Sequence, residues 1–382
     1  PFCPSISETK RPQRQTLEVH VKGRRAGSYL AASNNIVIDP TGRIETRDGF
    51  TEALPATTGR SLCTKAGKML FADGASLKQV SFSPYAATTI DTVSSGRMCY
   101  AESNGDIYYS DGVKLSCLEA GGVVRSVGVP LPVSLAASTT TGALAPAWYQ
   151  VTITYFNGVE EGGAYQSQNV ELTATGGIHL ALPTAPVGVT AIGAYLSGPN
   201  GEVPLLYNIY APATATIDMT APATGRAVQL QFKDQMPAGE LLAFHDARLL
   251  SAIGPAVYYS EPYNYGMTVP STNYIQFPEE VTVMQPCVGG VYIVADKTYW
   301  LTGLGTDQMD LMPMLPYGAV KHTSEYIPTQ KQVFWLSERG VVVGDEQGQV
   351  KNIQEESLLL SLAGEGAALY IEKHNRIVAT NG

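Results

Sequence analysis

Short apolar runs separated by small or polar turn residues fill most of the chain, and one paired arrangement of them recurs. From Leu249 to Pro262 the chain reads LLSAIGPAVYYSEP, and from Met98 to Gly112 it reads MCYAESNGDIYYSDG. In each, two runs flank a small-residue turn and the second run ends in Tyr-Tyr-Ser followed by an acid. Weaker relatives begin at Met69, Val291, Val333 and Leu369, so the steps after Leu249 are 42, 42 and 36 residues. Paired strands repeating at about 40 residues are the pattern of propeller blades. The chain is therefore predicted to be all-β, a β-propeller of about six blades.

The interval from Met98 to Leu249, 151 residues, breaks this period. Removing one blade leaves roughly a hundred residues, the size of a β-sandwich. Within the interval, the run from Ala147 to Phe156 alternates, with Tyr149, Val151, Ile153 and Tyr155 on one face, and Asn157-Gly158 is a favoured hairpin turn. Further runs at 168–174, 178–182, 189–196, 204–209 and 214–218 predict an inserted sandwich of immunoglobulin or fibronectin type. The expected organisation is an extended arm over 1–33, propeller over 34–135, sandwich over 145–222 and propeller again over 226–382. The flanks LPVSLAASTTTGALAP and APATGRAVQ read as linkers.

Composition agrees with turn-rich β structure: 44% hydrophobic, 15% charged, with 38 Gly, 24 Pro and 21 Tyr. The net charge of -9 is uneven. Residues 1–47 hold eight Lys or Arg against four acids, a balance of +4 that leaves -13 for the rest. An acidic body argues against a general nucleic-acid surface. The basic arm, with Lys10, Arg11, Arg14, Lys22, Arg24 and Arg25, is a candidate subunit contact that could lie on a neighbour's acidic face. Five widely spaced cysteines with no Cys-x-x-Cys pair suggest reduced thiols. No secretion signal and no membrane span are expected, consistent with assembly in a cytosol.

Candidate chemistry is sparse. No G-x-S-x-G elbow, H-E-x-x-H, P-loop, G-x-G-x-x-G or sialidase Asp-box occurs, so neither an enzyme nor a cofactor is expected. The stretch from Asp39 to Asp48 lacks calcium-loop ligand spacing, and Pro40 would spoil the loop. His245-Asp246 is the nearest approach to an acid-base pair but reads as a loop histidine. Glu160-Glu161-Gly162-Gly163 reads as a solvated hairpin tip. Tyr258-Tyr259 and Tyr263 to Tyr265 could stack sugars or bases, although packing between blades is expected of strand tyrosines.

Several phrases together resemble tailed-phage virion proteins. NNIVIDPTGRIETRDGF resembles the opening of such proteins through Asn35, Asp39, Gly42, Arg47, Gly49 and Phe50. TYFNGVEEGGAYQS and AIGAYLSG resemble their inserted sandwich. HDARLLSAIGPAVYYSEPYNYG, YIQFPEEVTVMQPCVGGVYIVADKTYWLTG, LPYGAVKHTS and VFWLSERGVVVGDEQGQV are similar, more loosely, to the tail nozzle (tail tubular protein B) family of short-tailed phages. The chain is short for a nozzle. The resemblance implies a structural tail component of the virion, assembled in the bacterial cytoplasm. It implies a homo-oligomeric ring, usually a hexamer beneath an adaptor ring, that forms part of the DNA-ejection channel without binding DNA specifically. The alternatives are a host receptor- or glycan-binding propeller of the virion and, further off, a propeller glycosidase with carboxylates converging at one end of its channel.

Overall fold

The computed structural model describes residues 54–353, 364–371 and 376–380, together with the backbone of Val19–His20, Tyr29–Leu30, Ile36–Ile38 and Ile44–Thr46. The arm residues Lys10, Arg11, Arg14, Lys22, Arg24 and Arg25 lie outside the described residues. No helix occurs among those described.

Five four-stranded antiparallel meanders follow one another along the chain. Sheet 1 comprises Gly59–Lys65, Lys68–Asp73, Ser76–Phe82 and Tyr85–Thr92. Sheet 2 comprises Cys99–Ser103, Asp106–Ser110, Leu115–Leu118 and Val124–Ser126. After the insert, sheet 3 comprises Leu241–His245, Arg248–Ile253, Ala256–Tyr259 and Tyr274–Gln276. Sheet 4 comprises Val283–Cys287, Gly290–Val294, Thr298–Thr302 and Asp310–Leu315. Sheet 5 comprises Glu325–Ile327, Gln332–Ser337, Gly340–Asp345 and Val350–Asn352. Ala367–Ile371 and Arg376–Thr380 pair as the described part of a sixth.

The first strand of each sheet lies against the first strand of the next, from sheet 1 through to sheet 6. A separate apolar core fills each gap. Leu70, Leu77, Ile107 and Tyr109 pack between sheets 1 and 2, and Tyr108, Cys117, Leu242 and Leu249 between sheets 2 and 3. Leu250, Val257, Val291 and Ile293 serve sheets 3 and 4; Tyr292, Trp300, Val333 and Trp335 serve sheets 4 and 5. Phe334 and Leu336 of sheet 5 face Ala368, Tyr370 and Ile377 of sheet 6. This radial stacking is a β-propeller, and each fully buried large side chain contributes about 1.5–3 kcal/mol to it.

The two strongest repeat phrases are one strand out of phase. Tyr108-Tyr109-Ser110 ends the second strand of sheet 2, whereas Tyr258-Tyr259 lie on the third strand of sheet 3, with Ser260 just beyond. What the phrases share is the device that ends a strand. Asp111 accepts from the backbone N–H groups of Ser94, Val113 and Lys114. Ser260 Oγ accepts from the Leu249 N–H, and Glu261 accepts from Asn273 Nδ2 at 2.9 Å. Local side-chain acceptors of this kind set turns whichever hairpin they follow.

Between sheets 2 and 3 lies a sandwich of two sheets. One orders Ala136–Leu144, Gly176–Ala181 and Thr216–Met219; the other orders Glu160–Ala164, Ala147–Asn157, Ala191–Ser197 and Pro204–Tyr210, with Gln168–Leu172 also on Ala147–Asn157. Tyr149, Val151, Ile153 and Tyr155 enter its core together, as their alternation predicts. Ala136–Leu144, expected to be linker, is a strand paired with Gly176–Ala181. Its Thr139 to Thr141 are β-branched, which favours the extended backbone over a free tether.

Candidate functional site

Two places gather polar chemistry. The first is one mouth of the propeller axis, built from residues that each precede the first strand of a sheet. Arg97 leads into sheet 2, Glu240 into sheet 3, Glu280 into sheet 4, Lys321 and His322 into sheet 5, and Glu365 into sheet 6. Lys321 Nζ forms ion pairs with both Glu240 and Glu280. Arg97 Nη1 lies 3.7 Å from Glu365 and donates to the Gly366 carbonyl at 2.7 Å. His322 is buried 4.0 Å from Glu365, and burial, reinforced by Arg97 and Lys321, pushes its imidazole down to about 3. Carboxylates do converge here, and Lys321 Nζ is paired with both Glu240 and Glu280.

The second place is a cleft of about 410 Å³ between sandwich and propeller. Asn157, Val159 and Glu160 line it from the sandwich hairpin, Tyr108 and Arg125 from sheet 2, and Tyr263 to Gly266 from the loop after sheet 3's third strand. That loop is held at its base by Glu261 N–H to Met267 O, 2.9 Å, and by Glu261 with Lys233, 3.6 Å. Tyr263 is 82% exposed although its φ is +59, a left-handed conformation unusual for a bulky residue. Its N–H is fixed to Ala247 O at 2.9 Å. Behind it, Tyr265, Tyr108 and Phe244 form an edge-to-face trio with centroids 4.8–5.6 Å apart. Gly266 and Gly128 let two backbones touch at the cleft's floor: a Cβ on Gly128 would sit 2.2 Å from Gly266 O.

Arg125 Nε binds Glu119 at 2.9 Å. The Glu160 carboxylate has no hydrogen-bond or ion-pair partner among the described residues, and burial raises its pKa while Arg125 opposes the rise. A desolvated carboxylate and a guanidinium thus share one cleft with aromatic faces.

The other expected site residues divide between structure and surface. Asp246 and Ala247, at φ 47 and 56, form the two-residue turn after Leu241–His245; His245 is buried, 3.3 Å from Asp246, and its pKa is lowered by burial against the pull of that carboxylate. The reading of Glu160 to Gly163 as a solvated tip is corrected. Glu161 has a side chain 7% exposed, accepts from Thr154 Oγ1 at 2.7 Å and is held by Tyr195 and Arg226, while a Cβ on Gly163 would meet Lys233 O. Glu161 to Gly163 are internal because this strand abuts the propeller linkers, whereas Val159 at the turn itself is fully exposed. Tyr259 is buried and Tyr258 lies against Tyr274, centroids 6.2 Å apart, as blade packing requires. The axial ion pairs had no local signal in the sequence, since only the ring topology brings their members together.

No protein-family model and no curated protein sequence matches the chain. Among solved structures, the chain is similar to BBS1N in its complex with ARL6DN (11% identity, TM-score 0.32, covering 87% of this chain and 92% of that one). It is also similar to the Myceliophteria thermophila Cps50 (Swd1) β-propeller domain (9%, 0.33, 86% and 98%) and to apo AztD from Citrobacter koseri (12%, 0.29, 84% and 89%). These likenesses are loose, and the strand order described above carries the architecture: the chain is an all-β propeller with a sandwich inserted between its second and third sheets.

Proposed function

We propose that the chain is a non-catalytic propeller of a tailed-phage particle that binds a component of the host surface. The observation that carries this is the junction cleft, where a strained, exposed Tyr263 and the unpartnered Glu160 carboxylate meet on a frame of rigid strands. Both residues cost stability where they stand, and ligand binding is a role in which such a cost is offset. The phage setting comes from the resemblance of the chain's phrases. Purified protein should bind cells of the host strain and compete with particle adsorption; absence of binding at any concentration tested would refute the reading.

A second reading, a tail nozzle or tail-tube ring through which DNA leaves, is favoured by the resemblance over residues 34–353 and by the position of the inserted sandwich. Arg97, Lys321 and their carboxylate partners cross one mouth of the propeller axis. In this reading the conduit would therefore be the axis of a ring of copies, hexameric in the related family, rather than the axis of one propeller. An acidic lumen would repel phosphate and leave DNA free to slide. Cryo-electron microscopy of particles tests it: density for this chain in a closed ring around the tail axis is expected, and its absence from virions would exclude both readings.

A further inference from the structure

We propose that the cleft between sandwich and propeller is a carbohydrate site, taking one or two neutral sugar rings of a surface polysaccharide. The inference rests on the host-surface reading above and names its ligand class.

The chemistry of the walls selects the class. Tyr263 offers a flat apolar face to solvent, and a tyrosine ring is suited to the C–H face of a pyranose while its hydroxyl stays wet. The Glu160 carboxylate, without a partner, can accept hydrogen bonds from adjacent hydroxyls. Arg125 and the amides of Asn157 and Asn264, which also line the cleft, can donate to hydroxyl or ring oxygens. Carboxylate and guanidinium in one small cleft mean that an anion meets Glu160 and a cation meets Arg125. A neutral polyol satisfies both without a like-charge contact. The volume, about 410 Å³, falls within the range of small-ligand sites.

The site is also pre-shaped. Tyr263 is pinned by its backbone bond to the Asp246-Ala247 turn, and the loop below it is clamped through Glu261 to Lys233 and Asn273. Little ordering remains to oppose binding.

The test uses the whole chain, with chitobiose, maltose and lactose as probes in saturation-transfer NMR and host-cell binding measured in parallel. At least one disaccharide should receive saturation, and affinity should fall at least tenfold in Tyr263→Ala and severalfold in Glu160→Gln, with little change on adding salt. Tyr263 is exposed, so its removal leaves the fold intact, and Glu160→Gln preserves shape. Sugar binding unaffected by either variant would overturn the assignment to this cleft. Cell binding that persists in both variants, with no disaccharide signal, would overturn the carbohydrate inference while sparing the host-surface reading. Loss of cell binding by the parent protein itself would remove that reading, and a disaccharide signal could still establish the site.

Discussion

Arg97 Nη1 donates to the carbonyl of Gly366 at 2.7 Å, joining positions 269 residues apart. Arg97 leads into sheet 2, and Gly366 precedes sheet 6, so the bond ties the entry of an early sheet to that of the last one described. Arg97→Ala should lower stability by about 1.5–3 kcal/mol, the worth of a hydrogen bond to a charged group. Urea denaturation would measure it. An unchanged midpoint would mean that the ring is held without this bond.

His322 makes the protein sensitive to mild acid. Its folded pKa, about 3, lies below the ordinary 6.5 because of burial and the neighbouring Arg97 and Lys321; Glu365, at 4.0 Å, does not reverse this. Between those values the unfolded chain binds a proton that the folded chain refuses. The stability contribution is therefore complete above about pH 6.5 and declines as pH falls toward 3. From pH 7 to pH 5 the loss is about 2 kcal/mol, at roughly 1.36 kcal/mol per pH unit. His322→Asn tolerates the φ of +64 and should flatten this dependence. His245 is common to both proteins and cancels. Equal pH dependence in parent and variant would disprove the effect.

Ala247 occupies a left-handed position, φ 56, in a two-residue hairpin turn. An alanine there costs about 1–2 kcal/mol that glycine does not incur. Ala247→Gly creates the Asp-Gly pair preferred by such turns and should stabilise by about 1 kcal/mol. A rise in Tm is the expected readout.

Glu161 anchors the inserted sandwich from inside. Glu161→Ala strips its carboxylate from Arg226, Tyr195 and Thr154; Arg226 is half-exposed and can be hydrated, so the cost is that of leaving the two buried hydroxyls short of an acceptor, about 1–3 kcal/mol. Calorimetry should register the loss, and Glu161→Gln should recover part of it.

The thiols are predicted to be inert. Burial pushes Cys63 and Cys117 up to about 11 and Cys99 to about 12, and raises Cys287. At pH 8 thiolate is then roughly a thousandfold scarcer than thiol in the first two. In a Cys3→Ser background, native protein should react with Ellman's reagent only on unfolding. Rapid labelling of the folded protein would contradict this.

Hairpins were legible along the chain because apolar alternation and Gly-containing turns act over a few residues. Tyr149, Val151, Ile153 and Tyr155 enter one core for that reason. Blade phase was not legible: Tyr-Tyr-Ser followed by an acid ends a second strand in one sheet and follows a third strand in another, since local turn chemistry carries no count of strands. Arg97, Glu240, Glu280, Lys321 and Glu365 were silent in the sequence for a different reason. Their relation depends on closing a ring, and their only local sign is a charge just ahead of an apolar strand. Tyr263 was visible as an aromatic, but its left-handed backbone was not.

The sandwich's outer strands have a bearing on how the ring assembles. The outer strands Ala136–Leu144 and Thr216–Met219 run parallel and so meet the rest of the chain at opposite ends of their sheet, but beyond them Gln235 Nε2 donates to the Val127 carbonyl at 2.8 Å, which brings the insert's way in and way out side by side. Contacts between sheets 2 and 3, such as Cys99 Sγ to Gly239 O across 140 residues, otherwise demand closure of a very long loop. A sandwich that folds first turns that loop into a short, rigid splice, and the entropic penalty of meeting shrinks accordingly. The insert would then act as a chaperone in cis, setting the tempo at which the second and third blades find each other.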